Sequence, residues 1–346
     1  MKPYLIISDL HFHNFSPFST LLEDGMNSRL QIQIDEVKRA VTLLKMRGGD
    51  TIFNGGDTFH VRGSVATTVL NPVIDLFKWI ADQGMTIYSI CGNHDLAGKD
   101  SDRIGNAARS LASDTSFTAD KVMINYGYKV IMFPWRSSLD ELKKELEEQA
   151  DKNLTAIIHA PVDDVISGLP NHGLSPDYLE NLGFKRVFAG HYHSHKNFND
   201  KVYSIGSLYH QTWSDVNSLA GFIIVEDDTV IHHESDAPKF LDASSIDFND
   251  KEKAAKFCKG NYVRVKITTA KDSEVAGVRE ELMEHGAVGI SIIQNKVTAS
   301  LRTKEATSVM YTVQDLIKGY VKKMDIENKE ALEALCFDIV REAEAA

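Results

Sequence analysis

Short apolar, β-rich runs alternate with longer stretches of helical period along the first 190 or so residues of the chain. Five runs, residues 4–8, 51–54, 86–90, 154–158 and 186–189, are four or five residues long and rich in Ile, Tyr, Phe and Val. That pattern predicts buried strands. Between them, Ile32, Val37, Val41 and Leu44 give one helix an apolar side, and Val69, Val73, Leu76, Phe77 and Ile80 give a second. Residues 129–133 read as another strand. Ser138 with Glu141 then forms a capping-box signature ahead of Leu139, Leu142 and Leu146. Alternation of this kind predicts the α/β class.

After residue 193 the pattern changes. Residues 202–205 predict a strand leading into Gly206-Ser207-Leu208, and residues 222–226 and 229–233 flank Asp227-Asp228 as a hairpin. The stretch 235–250, with Pro238 and many Asp and Ser residues, reads as a connection between domains. Residues 262–268, 272–285 and 288–298 then read as strand, helix and strand, with Gly286 placed to stop the helix. At the end, Val313, Leu316, Ile317, Tyr320, Val321 and Met324 make one apolar helical stripe, and Leu332, Leu335, Cys336, Ile339 and Val340 another. No internal repeat is visible.

The chemistry sits at the ends of the first five runs. Asp9-Leu10-His11, Gly56-Asp57, Gly92-Asn93-His94-Asp95, His159 and Gly190-His191-Tyr192-His193 each follow one of them. Ligands in α/β proteins gather at the C-terminal edges of strands. Asp9 and His11 are two apart, as are His191 and His193, so in extended segments each pair shares a face. Asp57, after two glycines, has a backbone able to approach two metals and two oxygens able to bridge them. With Asn93 and His159 this makes seven N and O ligands without thiolate, a set suited to two divalent cations, Mn²⁺ foremost. His94 is the candidate proton donor to a leaving oxygen, with Asp95 to orient its ring. The expected chemistry is two-metal phosphoester hydrolysis.

Bulk properties narrow the setting. The chain has 346 residues, 43% of them hydrophobic, enough for one large domain and a smaller one. No apolar run approaches membrane-spanning length. Met1-Lys2-Pro3 runs straight into the first strand, so no signal peptide is expected. Three widely spaced cysteines suit a reducing cytoplasm. The formal charge is −11, a poor basis for tight, independent binding to nucleic acid. If the substrate is DNA, a local basic surface or a partner must help to hold it.

The five blocks resemble the calcineurin-like metallophosphoesterase superfamily. The resemblance implies a two-sheet sandwich flanked by helices, with Asp57 bridging the metals. It implies that Asp9, His11 and His193 surround one metal with Asp57, that Asn93, His159 and His191 surround the other, and that His94 acts at the transition state. Gly56-Asp57-Thr58-Phe59-His60 and Gly206-Ser207-Leu208, followed by Trp213 and Asp215, are similar to segments of the SbcD-type double-strand-break repair nucleases. His60 in those relatives lies near the metals and helps exonuclease action; the other reading of it is a polar helix-start residue. His13 stands where relatives often carry Gly, and Ile205 replaces a proline.

Beyond about residue 236, a small cap and terminal helices resemble the layout of tailed-phage recombination endonuclease subunits. Residues 1–236 are thus expected as a nuclease domain, 237–304 as a cap, and 305–346 as helices for a partner. The implied partner is an SbcC-like coiled-coil ABC-type ATPase, with a homodimer of this chain inside a heterotetramer, in the cytoplasm of the cell or of a phage host. A small-molecule enzyme of cyclic-nucleotide phosphodiesterase type shares all five blocks and is the main alternative. A protein serine/threonine phosphatase fits poorly, because Thr58-Phe59-His60 follows Gly56-Asp57. A scaffold that keeps the fold without activity would have lost ligands, and none is missing.

Overall fold

Strand β1 (Tyr4–Ile7) is buried on both sides. Leu5 and Ile7 pack toward helices, while Tyr4 and Ile6 pack toward a second sheet. That double burial is why such strands read as unbroken apolar runs. The computed structural model describes residues 1–98, 107–111, 116–119, 121–243, 250–268, 271–295, 313–323 and 328–344. The chain divides into two units, Met1–Lys296 and Val297–Ala346.

In the first unit, α1 (Ser28–Met46) follows β1, then β2 (Thr51–Asn54), α2 (Thr67–Asp82), β3 (Thr86–Ile90) and β4 (Ser116–Ala119). The Asn27 side chain starts α1 by accepting from the backbone N–H groups of Arg29 and Leu30. Leu30, Ile34, Val37, Val41 and Leu44 form its buried stripe. Ile34, not the expected Ile32, belongs to that row; Ile32 is only half-buried. Strands β1 to β4 run parallel in order, and a hairpin of β11 (Gly221–Glu226) and β12 (Thr229–Glu234) is added antiparallel beside β1.

The second sheet takes β5 (Met123–Asn125), β6 (Val130–Phe133), β7 (Thr155–His159), β8 (Arg186–Gly190), β9 (Lys196–Asn197) and β10 (Val202–Ser204). Its order is β5-β6-β7-β8-β10-β9, with β6, β7, β8 and β10 parallel. Helix α3 (Leu139–Gln149) begins where the Ser138 side chain accepts from the Glu141 N–H, and it buries Leu142 and Leu146. A short α4 (Pro176–Asn181) covers the same face. Ile6, Phe53, Ile90 and Ile223 from one sheet meet Met132, Ile157, Phe188 and Tyr203 from the other. Each such apolar side chain contributes about 1.5–3 kcal/mol on full burial. The protein is thus α/β, with two mixed sheets and flanking helices.

Residues 240–242, expected as part of a connection, form β13 (Phe240–Asp242), which pairs parallel with β14 (Tyr262–Thr268). β15 (Gly289–Asn295) pairs parallel on the other side of β14. Helices α5 (Lys251–Cys258), which the apolar pattern does not announce, and α6 (Asp272–Glu284) close a small core of Cys258, Val263, Val265 and Leu282. Phe18 stacks on Tyr262 at 5.2 Å, and Trp213 meets Phe240 at 4.8 Å, so this sheet is joined to loops of the sandwich.

The second unit holds α7 (Val313–Lys323) and α8 (Lys329–Glu344). Val321 is buried, whereas Tyr320 and Leu335 are exposed. Met324, the strand residues expected at 296–298 and the expected boundary at 304–305 lie outside the described residues. Among the described residues, no helix is long and apolar enough to cross a membrane.

Candidate metal centre

The C-terminal ends of β1, β2, β3, β7 and β8 carry the candidate residues, and these strands belong to two facing sheets rather than one. Asp9 and His11 do not share a face through an extended chain. They adopt left-handed conformations (φ 53° and 43°), as do Asp57 (56°) and His191 (106°). Such backbone costs about 1–3 kcal/mol per residue and persists only where the surroundings hold it. Here Asp9 N–H donates to the Gly56 carbonyl (3.0 Å) and His11 N–H to the Asp57 carbonyl (2.9 Å), locking two loops together. Gly56 (φ 108°) has to be glycine, because a Cβ there would lie 2.5 Å from His159 Nδ1.

All seven residues expected as ligands come together. One oxygen of Asp57, Oδ2, lies 3.4 Å from His11 Nε2 and 3.6 Å from His159 Nε2. Asp9, His11 and His193 gather on one side, with ligand atoms within 4.8 Å of one another. On the other, Asn93 Oδ1 lies 3.1 Å from His159 Nε2 and 3.0 Å from His191 Nδ1. Ligand atoms each about 2.0–2.2 Å from a shared metal are separated by about 3–3.5 Å. The Asp57 carboxylate therefore stands between one half-site already at that spacing and a slightly wider one, where His11 Nε2 lies 3.8 Å from Asp9 Oδ1.

The electrostatics match. Burial pushes the His11 pKa well below the ordinary imidazole value, with His193 and His94 acting in the same direction. Burial, then His159 and His193, bring His191 down to about 3. Both rings are therefore neutral at pH 7 and offer lone pairs. Burial raises the Asp57 carboxyl well above its usual range, and the nearby Asp9 and Asp95 carboxylates add to this. Asp9 Oδ1 and His11 Nδ1 are buried with no hydrogen-bond partner among the described residues. Crowded carboxylates, neutral imidazoles and an unpartnered buried oxygen of Asp9 fit a dimetal site, since bound cations relieve both repulsion and desolvation.

Around these residues the structure also departs from expectation in how the His94 ring is held. The ring of His94 is set at Nδ1 by the carbonyl of His60 (2.6 Å), not by Asp95. The Asp95 carboxylate instead accepts from the backbone N–H groups of Asp57 (2.9 Å), Thr58 (3.2 Å) and Gly92 (3.0 Å), tying together the loops after β2 and β3. Asp57 Oδ1 in turn accepts from His94 N–H (2.8 Å). His60 lies seven residues before α2, so it is not a helix-start residue. Its ring stacks near that of His94 at 5.7 Å and lies 5.0 Å from that of His13.

Three neighbours carry no motif signal for their roles. Asp215 Oδ1 lies 2.7 Å from His193 Nδ1. Trp135 stacks on His191 at 5.3 Å. Gln211 donates from Nε2 to the Asp9 carbonyl at 2.9 Å. Asp215 was visible as part of the Gly-Ser-Leu segment resemblance, but nothing in its spacing names its partner.

A sandwich whose strand ends deliver two N/O half-sites around a shared carboxylate defines a metal-dependent phosphoesterase. The calcineurin-like phosphoesterase family model matches residues 2–195, and the chain belongs to that family. Over 203 residues it is 26% identical to exonuclease subunit 1 of Enterobacteria phage T4, an alignment taking in 57% of this chain and 59% of that relative. The chain thus spans less than two thirds of the curated relative it matches. A crystal structure of a dimetal phosphatase from Danio rerio aligns with a TM-score of 0.36 and 9% identity, covering 64% of this chain and 91% of that one.

Proposed function

We propose that this chain is a Mn²⁺-dependent DNA nuclease subunit that processes double-strand ends in repair and recombination with a coiled-coil ABC-type ATPase. The observation that carries the reading is its similarity over 203 residues to a phage protein named as an exonuclease subunit. The closeness of His60 to His94 supports it. Asp9, His11, Asp57 and His193 would hold one cation, and Asp57, Asn93, His159 and His191 the other. Bound there, two divalent cations polarise phosphoryl oxygens and lower the pKa of water.

The chain's own residues do the rest. Asp57, braced by Asp95 and by His94 N–H, keeps the two half-sites at a fixed separation. With Nδ1 of His94 donating to the His60 carbonyl, Nε2 is the nitrogen that exchanges a proton with the leaving oxygen. Burial lowers the His94 pKa, the bond to the His60 carbonyl and the Asp95 carboxylate oppose that, and an approaching anionic phosphodiester favours the protonated form further. His60 contacts the scissile strand or its phosphate.

Residues 1–236 form the nuclease domain and 237–304 the cap, and the helices within 305–346 bind the ATPase. The exposed Tyr320 and Leu335 support that last assignment. The partner supplies the DNA grip that a chain of charge −11 lacks. Two copies of the chain sit in one heterotetramer.

The test compares Mn²⁺-dependent hydrolysis of duplex DNA ends, a cyclic nucleotide and an aryl phosphodiester. Preference for DNA ends is expected. Inert DNA with rapid cyclic-nucleotide turnover would refute the nuclease reading in favour of a small-molecule phosphodiesterase. Removing residues after Ala306 should leave aryl phosphodiester hydrolysis intact and abolish co-elution with the ATPase.

A further inference from the structure

The segment from Tyr209 to Asp215 lies beyond the family match, yet it is fastened to the metal-site loops at several points. The Tyr209 hydroxyl donates to the Leu10 carbonyl, and Gln211 Nε2 donates to the Asp9 carbonyl at 2.9 Å. Arg29 Nη2 donates to the Gln211 carbonyl at 2.5 Å. On its outer side, Trp213 is held against Phe240 at 4.8 Å, with the Arg264 guanidinium 4.8 Å from its ring centre. At the end of the segment is Asp215, only 2% exposed.

Every acceptor position of this carboxylate that faces the segment is engaged. Oδ2 accepts from the backbone N–H groups of Gln211 (2.7 Å) and Thr212 (2.8 Å). Oδ1 faces Nδ1 of His193 at 2.7 Å. An ionised carboxylate can only accept, so Nδ1 must carry a proton, and in the neutral ring the lone pair is left on Nε2. We infer that Asp215 is the positioning residue of His193: it fixes the ring's orientation and tautomer so that Nε2 faces the Asp9–His11 half-site. The inference rests on the dimetal reading of the centre. A carboxylate behind a ligating imidazole both aims the ring and raises its basicity, and its loss typically weakens metal binding by about 10–100-fold.

Asp215→Asn separates positioning from simple bracing. The amide oxygen can still accept from Gln211 and Thr212, so the segment keeps its shape. The amide N–H₂ then faces Nδ1 and forces it to accept, which moves the ring proton to Nε2 and blocks that lone pair. Calorimetric titration of Mn²⁺ into the full metal-free chain should show two sites in the wild type. In Asp215→Asn and Asp215→Ala, one of them should be weakened about 10–100-fold and the other unchanged. Long-range ¹H–¹⁵N spectra at alkaline pH should show His193 protonated at Nδ1 in the wild type and at Nε2 in Asp215→Asn. Unchanged isotherms for both variants, or equal weakening of both sites with an unaltered tautomer, would overturn the assignment. A wild-type chain that binds no Mn²⁺ would instead remove the dimetal reading, and this inference with it.

Discussion

Replacing Gly92 by alanine strains the centre through its backbone while leaving every proposed ligand in place. A methyl group at Gly92 would lie 2.1 Å from Asp57 Oδ1, 2.5 Å from its backbone N and 2.7 Å from its Cγ. Ordinary contact begins at 3.4 Å, so the two loops must separate by about 1.3 Å at the closest point. Neither has slack, because Asp57 N–H is held by Asp95 (2.9 Å) and Asp57 Oδ1 by His94 N–H (2.8 Å). Forcing an extra methyl into a packed site costs about 1–3 kcal/mol. A displacement of about 1 Å in a reacting constellation costs about 10²-fold in rate. Gly92→Ala should therefore lose about 10²-fold in aryl phosphodiester turnover at saturating Mn²⁺, with weaker binding of the metals that share Asp57. Gly98→Ala, where a Cβ meets nothing within 4 Å, is the matched control. Calorimetry and steady-state hydrolysis of both variants provide the measurement. Wild-type affinity and turnover in Gly92→Ala would refute the claim that Asp57 is held immobile between the half-sites.

Other perturbations separate the remaining roles. His94→Ala should retain two Mn²⁺ ions and lose about 10²–10⁴-fold in hydrolysis, and wild-type turnover would remove His94 from the mechanism. His60→Ser should depress exonuclease activity on duplex ends more than hydrolysis of an aryl phosphodiester; equal losses would make it a packing residue. Far along the chain, burial and then His195 and His233 bring the His232 pKa down to about 3. Its folded pKa lies below the unfolded value of about 6.5, so its stabilising contribution is complete above that pH and drains away as pH falls toward about 3. Thermal melts of His232→Phe should therefore fall less steeply on acidification than those of the wild type, and parallel curves would exclude His232 as an acid-sensitive element.

The candidate ligands were legible in the sequence because two local constraints coincide at each of them. A strand buried on both faces must be apolar throughout, and the first residues past its end are free to be polar. Asp9, Asp57, Asn93, His159 and His191 all lie at or just past such ends. Tertiary structure decided what no local pattern encodes. It placed the five ends on two sheets whose rims meet, and it twisted Asp9, His11, Asp57 and His191 into left-handed backbone held by bonds between loops. It gave the His94 ring to the His60 carbonyl, 34 positions away, and the His193 ring to Asp215, 22 positions away. It also made a strand of residues 240–242, whose Phe240 is covered by Phe18, Arg29, Trp213 and Tyr262 from other parts of the chain. Residue type follows from what each strand end must be; partnership follows from which ends the folded chain brings within a few ångströms.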